Sequence, residues 1–168
     1  KFDLGSSIKT ILGKDFKVTV SLDGTDLTVD KDYTITPKAN ANLTNAGKIS
    51  YTIEGINNYQ GTKEVEYTIT PKEITIDPDS KITATPNPKE YNGNGEVTLS
   101  GVNFKGLAKV DEGKIVLKSL GIVDANNEGH AGTYTSVRLD PEKLELQYED
   151  GTPCANYTIV KYDGSELP

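Results

Sequence analysis

At 168 residues with a net charge of −7, the chain has room for one large domain or two small ones. A single Cys and a single His exclude an intrachain disulfide, a multi-cysteine metal site and a His–His metal pair, and no cofactor is expected. No apolar run approaches the roughly 18 residues of a membrane span, and no basic surplus matches a phosphate backbone, so neither membrane insertion nor nucleic-acid binding is expected.

The first residues, Lys1-Phe2-Asp3-Leu4-Gly5, open in mid-pattern, as a piece of a longer chain would. Phe16, Val18, Val20 and Leu22 then alternate with polar residues, which predicts a strand with one dry and one wet face. Asp23-Gly24 follows as a hairpin turn, because both residues tolerate positive φ. The same period-two pattern recurs at Ile49, Tyr51 and Ile53, and again at Val65, Tyr67 and Ile69.

Pro71 interrupts the pattern, and the charge changes there. Residues 1–72 balance nine bases with nine acids, whereas residues 73–168 carry nine bases and sixteen acids. The chain therefore reads as two domains, 1–72 and an acidic 73–168.

Further strands are predicted at Ile74 and Ile76, Val97 and Leu99, Ile115 and Leu117, and Leu120 and Ile122. Val137 and Leu139, Leu144 to Tyr148, and Tyr157 and Ile159 complete the series. Asn92-Gly93, Asn94-Gly95, Asp150-Gly151 and Asp163-Gly164 supply turns, and Gly106 to Val110 allows one short helical turn at most. Short strands between frequent turns predict an all-β chain of two small antiparallel β-sandwiches in tandem. Residues 161–168 read as the start of a further module, or as a final strand and tail.

The halves also share a weak internal repeat. Asn45-Ala46-Gly47-Lys48-Ile49-Ser50 is similar to His130-Ala131-Gly132-Thr133-Tyr134-Thr135, and Asn58-Tyr59 to Asn156-Tyr157.

Few residues suggest chemistry. Asp124, Asn126 and Glu128, followed by Gly129, have the spacing that opens a calcium loop, but the position for the bidentate Glu is Thr135; an acidic hairpin loop fits the same residues. Asp23, Asp26, Asp30 and Asp32 form a second acidic cluster that either holds a hard cation or solvates turns. His130 has no nucleophile motif beside it and reads as a surface or turn residue, and Cys154 reads as a small buried hydrophobe. No Lys stands at a dry position, as an internal Lys–Asn crosslink would require. Tyr is the plentiful aromatic, and Tyr51, Tyr67, Tyr134, Tyr148 and Tyr157 fall on the dry phase or at strand ends. Tyr59 is expected to tuck against a sheet edge.

Leu22 to Thr28 followed by Lys31-Asp32-Tyr33-Thr34-Ile35, then Tyr51 to Gly55, Asn58 to Thr62 and Val65 to Ile69, resembles an immunoglobulin-like or mostly-β, glycine-rich repeat of bacterial surface proteins over residues 13–70. Residues 73–160 resemble more loosely a repeat named for a Tyr-Asp-Gly motif, with Tyr91-Asn92-Gly93 in its place. The resemblance implies immunoglobulin-like modules that act as non-catalytic spacers in an extracellular stalk, joined to neighbouring domains of a longer chain. It carries no catalytic residues to transfer. A module that binds a carbohydrate or a host protein, more plausibly the acidic one, is the alternative reading, and an enzyme is the remotest.

Overall fold

The computed structural model describes the chain apart from residues 5–7, 13–17, 125 and 168, and of residues 8–12 only the backbone. The chain is mostly β; among the described residues its only helical elements are two single 3₁₀ turns. No helix is long and apolar enough to cross a membrane among these residues. The chain divides into two compact units, Lys1–Thr70 and Pro71–Pro168. The division falls before Lys72 rather than after it, because Lys72 opens a strand of the second unit and its amide donates to Asn156 O at 2.9 Å.

In unit 1 the strands are β1 (Phe2–Asp3), β2 (Ile8–Leu12), β3 (Val18–Leu22), β4 (Thr25–Asp26), β5 (Tyr33–Pro37), β6 (Gly47–Gly55), β7 (Tyr59–Gln60) and β8 (Thr62–Ile69). β6 is the spine, paired antiparallel with β5 on one side and β8 on the other. Its alternation puts Ile49, Tyr51 and Ile53 inside and Lys48, Ser50 and Thr52 on the other face. β3 likewise buries Val20 and Leu22, and Asp23-Gly24, at φ 48° and 81°, closes the two-residue hairpin to β4. The expected start of that strand at Phe16 lies outside the described residues. Leu4, Leu27, Tyr33 and Val65 complete the core.

Unit 2 contains β9 (Lys72–Ile76), β10 (Thr83–Thr85), β11 (Glu96–Ser100), β12 (Phe104–Lys105), β13 (Ile115–Leu117), β14 (Gly121–Ile122), β15 (Leu146–Tyr148) and β16 (Tyr157–Ile159). They form three small sheets, β10-β11-β14, β12-β9-β16 and β13-β15, around a core that includes Ile74, Val97, Leu99, Ile115, Leu139 and Tyr157. The 3₁₀ turns are Lys109–Asp111 and Pro141–Lys143.

Three sequence expectations change here. The strand predicted at Leu120 begins instead at Gly121, and Leu120 is exposed. Gly121 faces the core, where a Cβ would stand 2.5 Å from Val137 Cγ2 and 2.8 Å from Leu99 Cδ2. The inward position is held by a residue with no side chain, so hydrophobic alternation points to its neighbour. Val137 makes a single bridge, to Leu167, rather than part of a regular strand. That bridge and the packing of partly buried Leu167 against the core place 161–167 within unit 2.

The third change concerns strand direction. Both units contain a parallel pair where an antiparallel arrangement is expected: β1 with β7, and β9 with β16. The registers correspond. Phe2 stands opposite Tyr59, and Lys72 opposite Tyr157. The amide of Phe2 donates to Asn58 O at 2.8 Å, and that of Lys72 to Asn156 O at 2.9 Å. Two residues on, Leu4 and Ile74 are each essentially inaccessible to solvent. The Asn-Tyr part of the internal repeat is thus one device used twice. The other part is not: Gly47 opens the nine-residue β6, whereas Gly132 lies in a loop.

Replacing a buried Leu or Ile by Ala removes its transfer free energy and leaves a cavity. Leu4→Ala and Ile74→Ala are each expected to destabilise their own unit by about 2–5 kcal/mol, read from urea denaturation curves. A loss within experimental error would show that the terminal strands are ornaments on the cores.

Candidate functional site

A groove with convergent side chains lies in unit 2. The loop from Pro86 to Gly95 joins β10 to β11, and Val123 and the segment from Gly129 to Tyr134 face it. Between them is a groove of about 430 Å³. Both Thr85–Pro86 and Asn87–Pro88 are cis.

The two loops are tied together at their bases. Asn127 Oδ1 accepts from Gly95 N at 2.8 Å, and its Nδ2 donates to Glu96 Oε1 at 3.3 Å. Gly129, at φ 68°, lies so close to Asn94 that a Cβ would fall 2.1 Å from its carbonyl oxygen, so only glycine allows the approach.

Asp124 organises the second loop. Its Oδ1 accepts from Asn126 N at 3.1 Å and Glu128 N at 3.0 Å, and its Oδ2 from Gly129 N and His130 N. Partial burial pushes its pKa up, but the four N–H donors outweigh that and hold it below the ordinary value. The carboxylate is thereby committed to backbone. Of the other two calcium candidates, Glu128 lies beside His130, its Oε2 3.4 Å from the imidazole Nε2, and Asn126 is exposed in the loop. Among the described residues, no three His, Cys, Asp or Glu side chains gather as a metal site.

In the second acidic cluster Asp26 lies in β4 and the other three serve turns. Asp32 Oδ2 accepts from Thr28 N at 2.8 Å, and Asp23 and Asp30 occupy the left-handed conformations that turns require. Cys154 is buried in the unit 2 core as a free thiol. No polar or charged residue is buried among the described residues, and that includes every described lysine.

The tyrosines divide into two kinds. Tyr51 and Tyr157 are buried, and Tyr67 and Tyr148 partly so. Tyr157 also bridges backbone elements, accepting from Ala108 N at 3.2 Å and donating to Asp111 Oδ2 at 2.6 Å. Tyr162 does the same between Leu139 N and Ser165 O. Tyr59 packs against Phe2, with ring centroids 5.7 Å apart.

Tyr134 departs from expectation. It is 40 % exposed, because the segment before Val137 is a loop and has no dry face. Its hydroxyl donates to His130 O at 2.6 Å, which fixes the ring along one wall of the groove. Tyr91, 75 % exposed, stands in the opposite loop. Sequence reasoning missed this pairing. Its available signal was a Pro-x-Pro-x-x-Tyr run, Pro86 to Tyr91, with no alternation to bury the aromatic.

No family model, curated protein or solved structure matches the chain.

A carboxylate whose pKa is lowered in the folded state stabilises that state above its unfolded pKa, near 3.8, and the effect is lost as pH falls through the folded value. Asp124→Asn is therefore expected to lower the urea midpoint of unit 2 at pH 7, with the gap from the parent chain narrowing at pH 3. An equal gap at both pH values would remove the charge of Asp124 from the account.

Proposed function

We propose that the chain is a non-catalytic spacer: two tandem immunoglobulin-like β-sandwich modules in the extracellular part of a bacterial surface protein. The sequence resemblance supports the class. The observation that carries the reading is the parallel pairing of the first strand of each unit with a strand late in its sequence, β1 with β7 and β9 with β16.

In a parallel pair both strands run the same way. A pull on the start of one and the end of the other slides them in opposite senses along their length. The bonds between them lie across the pull and must yield together, whereas a peeled antiparallel hairpin yields one bond at a time. In unit 2 this applies between Lys72 and Ile159, where Val160 N also donates to Ile74 O at 2.8 Å. In unit 1 the last strand is β8, paired antiparallel with β6, so a pull on the end of the unit loads β8 before it reaches β7, where Leu4 N donates to Gln60 O at 2.7 Å. Such an arrangement suits a module that transmits tension between neighbours.

Resistance to force is governed by the unfolding rate rather than by equilibrium stability. Stretching the chain from its ends is expected to give two separate force peaks, with contour-length gains of about 25 and 35 nm for the two units. Val160→Pro, which deletes one clamp bond at a strand end, is expected to lower the second peak with little change in the urea midpoint. Extension of either unit without a resolvable peak would overturn the spacer reading.

A further inference from the structure

The groove in unit 2 has properties that a spacer does not need. Its walls are aromatic and apolar, from Pro86, Pro88, Tyr91 and Tyr134. A polar fringe comes from Asn87 and Thr133, both exposed. Tyr134 is held by its hydroxyl, so its ring is a fixed surface rather than a mobile one. The loops that carry the walls are locked through Asn127 and the Gly129–Asn94 approach. A site ordered before binding spends less conformational entropy on its ligand.

Charge narrows the ligand class. Unit 2 is strongly acidic, yet the groove lining carries one acid, Glu90, and one base, Lys89. The Lys89 ammonium is already engaged by Asn92 Oδ1 and Asn94 O. The His130 imidazole is likewise beside the Glu128 carboxylate. The lining therefore offers little to an anion, and to a cation only the exposed Glu90 carboxylate. It offers flat apolar faces, an amide with both donors and acceptors, and a hydroxyl. A sugar ring presents the complement, with a C–H face that lies on an aromatic ring and an edge of hydroxyls. The volume falls within the range of sites for small ligands.

We propose that this groove binds a neutral oligosaccharide, with Tyr91 and Tyr134 as stacking surfaces and Asn87 and Thr133 as hydrogen-bonding partners. The proposal stands apart from the spacer reading and does not depend on it.

The test is calorimetric titration of the full chain with cellohexaose, maltohexaose, xylohexaose and mannohexaose. At least one is expected to bind. Tyr91→Ala and Tyr134→Ala are each expected to weaken that binding about tenfold, equivalent to about 1.4 kcal/mol. Val110→Ala, which trims an exposed side chain outside the groove lining, is expected to leave the affinity unchanged. Because Tyr91 is so exposed, its variant should keep the parent urea midpoint, which separates loss of binding from loss of fold. Absence of binding to all four sugars would overturn the proposal. So would an affinity that survives in the Tyr91→Ala, Tyr134→Ala double variant.

Discussion

Each unit is closed by a parallel pairing of its first strand with a strand late in its sequence, β7 in unit 1 and β16 in unit 2. The contact is short, two residues paired in unit 1 and three in unit 2, but it joins segments that are far apart in sequence. It also delivers a fully buried residue, Leu4 or Ile74, to each core. Without that residue the sheets would lose their most completely buried end contact. The hydrogen bonds and the buried side chain therefore act together: the bonds set the register, and the register places the side chain.

Outside this closure the units solve the same problem differently. Unit 1 relies on a long strand, β6, flanked on both sides, and its core draws on the dry faces of that strand and of β3. Unit 2 has no strand longer than five residues among those described. Its loops are held by tyrosine hydroxyls and by single residues that gather several backbone donors. Tyr157 and Tyr162 each tie together separate segments, and Asp124 gathers the backbone donors of its own loop. Loops held this way can keep exposed aromatic residues in fixed positions, which is what the groove requires.

The readable part of the fold was the part governed by alternation. β3, β6, β8, β9, β11, β13 and β16 all follow period-two runs, and the Asp23-Gly24 hairpin follows its turn chemistry. What escaped has physical causes. Gly121 faces inward without a side chain to mark it. Strand direction leaves no trace in hydrophobic period, since parallel and antiparallel strands of this length alternate alike. Asn58-Tyr59 and Asn156-Tyr157 were visible as a repeat, but their role depends on partners more than fifty residues away. At the groove, His130 and Asp124 were noticed for possible chemistry, whereas the structure gives Asp124 a loop to organise and leaves His130 at the surface. Tyr91 and Tyr134 line one groove only because two loops face each other, which no local pattern encodes.

The most direct test of the closure is native-state hydrogen exchange at the amides of Leu4 and Val160, which donate across the two parallel pairs. If the pairing closes each unit, these amides exchange only through global unfolding of their own unit, with the free energy that urea denaturation gives and with the same protection as amides in the middle of β6 and β11. Exchange through local fraying, orders of magnitude faster than at those central strands, would contradict the account.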